Sequence, residues 1–324
     1  MLKRLTALIL ALLLLLTGCH MGPPPILDSG AAQFGEGKEE ENYSPVNSGA
    51  LLESLIDQYS GSYYRPSGAP MDDSQLGDLP EAGTSTTYQV GSWEDLLSVL
   101  HRTYADTATY VEFELVNGFT FDPYNDLDTT YRELQREDPI FVSCVSAWSW
   151  VPNSVPFKLK IRYSMDVPTV ISMKEQTAGL VDAAVAELHT AGMSDYEIIC
   201  AVNEYLCDTI YYPDSEPYAP ETHTAYGALA NGIAVCEGYA LAAKLMLNEL
   251  GVACDIQTGT CIGGGGHAWN LVQLEGQWYQ MDVTWNDGSG TRQDYLLVTD
   301  AYMQKSRTWN YADYPASASE PYTP

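Results

Sequence analysis

The sequence predicts an α+β fold, on three observations. Two amphipathic stripes repeat at helical spacing, one through Leu180, Val181, Ala184, Val185 and Leu188, the other through Ile198, Ile199, Val202, Tyr205 and Leu206. A third helical pattern follows Glu237 through Tyr239, Ala240, Ala243, Leu247 and Leu250, ahead of a C-capping Gly251. Two strand-like runs, His267 to Leu274 and Trp278 to Val283, flank Glu275-Gly276, a pair suited to a two-residue hairpin turn. At 324 residues the chain has room for one large domain or two modest ones, each able to bury its own core without staples.

Taken in order, residues 1–19 read as an export signal. Lys3 and Arg4 precede the apolar run Leu5 to Leu16, which is too short to span a bilayer core of roughly 30 Å that needs about 20 residues. Its ending, Leu16-Thr17-Gly18-Cys19, resembles a bacterial lipobox, and that resemblance implies that Cys19 carries a lipid holding the exported protein to the outer face of a membrane. Residues 20–85 are rich in Pro, Gly, Ser and acids, a composition that cannot offset its ordering entropy, so a mostly disordered tether is expected. Within it, Leu51, Leu52, Leu55 and Ile56 have the spacing of a short helix.

Residues 86–170 read as a small α+β accessory domain. Ser92-Trp93-Glu94-Asp95 is a capped helix start, Thr109 to Val116 alternates as a strand, Asn125 to Asp128 opens a second helix, and strands are expected near 140–150 and 156–164. Asp122, Asp126 and Asp128 lack the glycine and distal Glu of a calcium loop and are helix-start acids. Residues 171–312 form the main domain, in which Ser194-Asp195-Tyr196-Glu197 is a capping box, and 313–324 a C-terminal tail.

Charge excludes two classes of partner. Asp and Glu number 43 against 15 Lys and Arg, a net charge of −28, and losing Lys3 and Arg4 with the signal makes it −30. Phosphate backbones and anionic headgroups repel such a surface, so no nucleic acid is expected, and any membrane association falls to the lipid. Of seven cysteines, Cys200 and Cys207 sit seven residues apart on one helix, about 10 Å along its axis and beyond a disulfide's reach of about 7 Å. Cys254 and Cys261 are within bridging reach only if the segment between them folds back. No CxxC or His-rich spacing marks a metal, and no cofactor is expected.

The chemistry concentrates in three short motifs. Cys236 lies in Ala-Val-Cys-Glu-Gly-Tyr-Ala, His267 in Gly-His-Ala-Trp-Asn and Asp282 in Met-Asp-Val-Thr-Trp. A thiol attacks as thiolate, so it needs a base, and the base needs a partner that orients it and steadies its cation. The helix after Cys236 puts the sulfur at a helix N-terminus, where dipole and orphan amides favour an anion and the Cys236 N–H can face an oxyanion. With Glu275-Gly276 as the turn, paired positions sum to 551, so Asp282 faces Trp269 and becomes a diagonal neighbour of His267, some 7 Å away at Cα. A one-residue slip would turn Asp282 to the opposite face.

These three motifs resemble those of the transglutaminase-like superfamily, over about 170–300. The resemblance implies a papain-like core with a nucleophile helix packed on an antiparallel sheet, Cys236 as nucleophile, His267 as base and acid, and Asp282 as orienter. It further implies a thioester formed on a peptide or protein amide, resolved by water or by an amine. Tyr226 and Asn231 are candidates for a second oxyanion donor, and each is equally suited to packing or turn roles. Trp269, Trp278 and Trp285 suit either a cleft wall or a core, Trp285 being the preferred cleft residue because it precedes the turn Asn286-Asp287-Gly288. Gly263 to Gly266 reads as a mobile gate or as a plain connection between strands. Two functions compete: a membrane-anchored extracytoplasmic thiol enzyme, with a protein or peptide substrate at the cell surface, and a silent binding or scaffolding module of the same fold. A broken triad would favour the second, and all three positions are intact.

Overall fold

A computed structural model describes residues 66–76, 87–214, 218–263 and 265–324; the signal, Cys19 and the helical spacing at Leu51 to Ile56 lie outside the described residues. The first half contains β1 (Ser67–Pro70), β2 (Tyr88–Val90), α1 (Trp93–Ala105), β3 (Tyr110–Leu115), α2 (Asp126–Glu137), β4 (Val145–Trp150) and β5 (Phe157–Tyr163). Its sheet runs β1-β4-β5-β3-β2, antiparallel at the centre and parallel in the two outer pairs. Ser92 Oγ accepts the Asp95 N–H at 3.1 Å and starts α1, while Asp126 and Asp128 lie in the first turn of α2 and Asp122, ahead of it, accepts from the Asn125 side chain at 2.6 Å. Leu96, Leu100, Leu127 and Leu134 of the helices pack with Phe113, Trp148 and Leu159 of the sheet, and the Trp148 indole donates to Tyr104 at 3.0 Å.

Two expectations for this half need correction. The stretch read as tether contributes β1, because residues 67–70 find ladder partners in β4 that composition could not reveal. The strand expected from 140 begins at Val145, since Cys144 takes a left-handed φ of 63° that breaks extended backbone.

The second half contains α3 (Val167–Glu187), α4 (Asp195–Thr209), a π-turn at Gly227–Asn231, α5 (Cys236–Glu249), β6 (Cys254–Cys261), β7 (Gly266–Leu274), β8 (Gln277–Met281), α6 (Val283–Gly288), α7 (Asp300–Met303) and β9 (Arg307–Thr308). Its antiparallel sheet has the order β8-β7-β6-β9, and α5 packs on it, the Asn270 amide of β7 donating to Ala240 O at 2.9 Å. Ser194 and Glu197 form the expected capping box of α4. The β7–β8 register is the one that sums to 551, through Asn270 opposite Met281 and Leu274 opposite Gln277, with Glu275 and Gly276 both at positive φ in the turn. Cys254 and Cys261 cap the two ends of the straight strand β6, about 23 Å apart at roughly 3.3 Å per residue, so the fold-back that a bridge required is absent. The last residues dock on the sheet, with the Ala318 N–H donating to Trp278 O at 2.8 Å.

Helix α3 joins the halves. Asp166 caps it by accepting the Thr169 N–H at 3.0 Å, so it starts before residue 170 and the boundary placed there falls inside it. Val170 belongs to the first hydrophobic core, Val181 and Ala184 to the second. Between them Lys174 is buried and donates to Tyr104 O at 2.6 Å and Thr107 Oγ1 at 3.1 Å, and burial pushes its pKa down to about 8. Helix α2 adds two further ties, Gln135 to Glu237 at 3.0 Å and Arg136 Nε to Asp255 at 2.8 Å.

Candidate active site

Cys236 is the first residue of α5. Its N-cap is Val235, whose side chain makes no capping bond and so leaves the first-turn amides to whatever faces the helix end. The turn is held from outside: the Val235 N–H donates to Thr222 O at 3.0 Å, and a Cβ on Gly238 would lie 2.5 Å from that same oxygen and 2.8 Å from the Ala234 Cβ. Glycine at 238 is therefore what lets the 219–224 segment lie directly against the turn that carries Cys236.

His267 is the second residue of β7 and is wholly buried. Its ring stacks on Trp269 at 5.8 Å and 19°, as two positions on one strand face should, and meets Trp285 at 5.5 Å. Nε2 lies 2.8 Å from Oδ2 of Asp282. Asp282 follows the last ladder pair of β8 and caps α6, its Oδ1 accepting the Trp285 N–H at 3.1 Å. The expected strand to Val283 thus stops at Met281, and Asn286-Asp287-Gly288 is helix rather than turn, because the Asp282 side chain captures the amide three residues on. The Tyr239 hydroxyl donates to Asp287 at 2.8 Å and ties α5 to this short helix.

Cys236, His267 and Asp282 are each 0 % exposed, on three elements that pack into one core. Residues 182–283, which contain all three, match the family model described as the transglutaminase-like superfamily. The chain carries a transglutaminase-like domain. It is 30% identical to mouse (Mus musculus) kyphoscoliosis peptidase over 151 residues, 42% of this chain and 22% of that protein, and 29% identical to the human (Homo sapiens) protein over 126 residues, 33% of this chain and 18% of that one. The chain thus spans less than a quarter of either relative's length. Among solved structures it is similar to a crystal structure of a TGase, at 11% identity and a TM-score of 0.31, over 63% of this chain and 59% of that one.

One site residue that the sequence reading missed lies beyond the matched residues 182–283. Arg307 of β9 is wholly buried, and its Nη1 pairs with the same Oδ2 of Asp282 that faces His267. Its guanidinium lies 3.8 Å over Trp285, 4.9 Å over Trp269 and 5.8 Å over Tyr295. A Cβ on Gly259, the residue opposite His267, would run into Thr308 O, so glycine there is what admits β9 and brings Arg307 in. Burial raises the Asp282 pKa, but the charges of His267 and Arg307 and their hydrogen bonds outweigh it and hold the carboxyl at about 2.

Trp285 joins this group, though fully buried between His267, Arg307 and Tyr295 rather than walling an open cleft as preferred from sequence; the helix that Asp282 caps turns it inward. Tyr226 and Asn231 belong to a separate feature, the π-turn, Tyr226 half-buried at its start and Asn231 exposed at its end before left-handed Gly232. The glycine stretch is the β6–β7 connection, where Gly265 O accepts the Cys261 N–H at 2.8 Å. Among the described residues no group of three or more His, Cys, Asp or Glu side chains is placed to hold a metal ion.

Proposed function

We propose that the domain is a thiol acyl-transfer enzyme acting on amide bonds of peptides or proteins. The observation that carries this reading is the buried His267–Asp282 bond of 2.8 Å beside a helix whose first residue is Cys236. Asp282 occupies Nε2, so proton exchange with the thiol falls to Nδ1. In the proposed cycle Nδ1 takes the Cys236 proton, the thiolate adds to the carbonyl carbon, and the first-turn amides of α5 steady the oxyanion. The C–N bond then breaks as Nδ1–H passes its proton to the departing amine, leaving a thioester. Water gives a proton to Nδ1 and attacks the thioester, and the carboxyl product leaves as the thiol regains that proton. Moving the thiol proton from Cys236 to His267 leaves the net charge of the buried group unchanged, and Arg307 already pairs with Asp282 before it moves. We favour hydrolysis over cross-linking, and the name of the peptidase relatives agrees with it.

The same proposal places the enzyme outside the cytoplasm, held to a membrane through lipid on Cys19, with surface proteins or peptides as substrates; the Leu16-Thr17-Gly18-Cys19 sequence supports it. Two experiments test it. Cys236→Ala should abolish labelling by a small acyl electrophile at neutral pH while leaving the circular-dichroism spectrum intact; labelling that persists elsewhere at the same rate overturns the assignment. Cys19→Ser should release the protein from membranes and end incorporation of labelled fatty acid, and continued incorporation would remove the anchor.

A further inference from the structure

Beside the first sheet lies a cavity of about 390 Å³ that the proposed chemistry leaves unused. Its walls come from α2, the ends of β4 and β5, and the segment leading to Cys236; the carboxylate of Glu237 lines it. Glu237 directly follows the nucleophile, so its Cα lies about 3.8 Å from that of Cys236. The carboxylate is only 5 % exposed. Its Oε1 accepts from the Gln135 amide at 3.0 Å, and Oε2 lies 3.2 Å from His223 Nδ1. These two partners, of which His223 can carry a positive charge, leave the carboxylate's further lone-pair positions open to a third donor. Tyr131, Tyr163 and Tyr218 supply aromatic wall, and Arg162 stands exposed at the rim.

We propose that this cavity is a specificity pocket for a lysine-type alkylammonium side chain on the substrate, next to the amide that Cys236 attacks. The inference rests on the thiol-enzyme reading above. An anionic side chain would be repelled by Glu237, and an apolar one would leave the open lone-pair positions of the buried carboxylate unfilled. An ammonium on a four-carbon stem meets both demands: its head donates to Glu237 while its methylenes run along the tyrosine rings. Arg162 at the rim suits a backbone carbonyl of the same peptide.

The test uses two peptidyl acyloxymethyl ketones that differ only in Lys or norleucine at the two positions before the reactive carbonyl, with labelling mapped to Cys236 rather than to Cys144, which also lines the cavity. The Lys probe should label the native protein about tenfold faster or more. In Glu237→Gln that ratio should fall toward one. Ser146→Phe, which takes up cavity space from β4 while leaving Glu237 in the sequence, should lower it as well, so the proposal stays testable if Glu237→Gln misfolds. Equal rates in the native protein, or a Lys preference that survives Glu237→Gln, overturn the pocket. Iodoacetamide, too small to need the cavity, separates the two readings: if it labels Cys236 while the preference is missing, only the pocket fails, and if Cys236 reacts with nothing, the thiol centre fails and the pocket with it.

Discussion

His267 and Arg307 meet at a single oxygen, Oδ2 of Asp282, in a core with no solvent exposure. The carboxylate therefore divides its charge between an ion pair and the ring it orients, and each variant around it should separate stability from reactivity in a different proportion.

Arg307→Met keeps bulk against Trp285 and removes the cation, leaving Asp282 buried with one partner fewer. Unfolding in urea should show a loss of about 3–5 kcal/mol, the usual result of breaking one side of a buried pair. Arg307→Lys should recover part of it, because it restores charge without the planar stack. A Met variant as stable as the native chain would mean that the pair is energetically idle.

Asp282→Asn preserves a residue that caps helices well, so α6 should persist, while the anion that fixes the His267 tautomer is gone. The rate of Cys236 acylation is expected to fall by about 10³–10⁴-fold. A drop of less than tenfold, measured by intact-protein mass over time, would make Asp282 a structural cap alone.

Acid should expose the same group. The Asp282 pKa is about 2 in the fold, below an unfolded value of about 3.9, so its stabilisation is complete above about pH 4 and disappears as pH falls through about 2. It amounts to about 2–3 kcal/mol on linkage grounds. Urea titrations between pH 2 and pH 6 should lack this component in Asp282→Asn, and superimposable pH dependences for the two proteins would contradict it.

Gly238→Ala forces a methyl against Thr222 O and should both cost about 1–3 kcal/mol and slow labelling of Cys236, since the turn that carries it must shift. Gly179→Ala, on an exposed position of α3 with open space around it, should instead stabilise by about 0.5–1 kcal/mol. Equal effects at the two sites in thermal unfolding would show that the backbone approach at 238 is not tight.

Local rules made much of the centre legible in advance. Glu275-Gly276 set the β7–β8 register, because a two-residue turn admits one pairing, and Cys236 could be placed at a helix start from the spacing that follows it. What local rules could not supply was partnership across distance. Arg307 sits on a two-residue strand with no periodicity of its own and reaches Asp282 only through pairing with β6. The switch from strand to helix at Asp282 was hidden for a related reason: an Asp at a strand end reads as part of the strand until its side chain is seen to bind the Trp285 amide. The early start of α3 was readable from Asp166 and Pro168, a cap followed by a first-turn proline, but the apolar stripe drew attention to its later turns.

That helix has a practical corollary for anyone trimming the gene. A fragment begun at residue 171 would cut α3 after its capped first turn, strand Lys174 away from Tyr104 and Thr107, and strip Gln135 from Glu237 beside Cys236. The upstream sheet is thus less a removable attachment than the splint against which the working half is set.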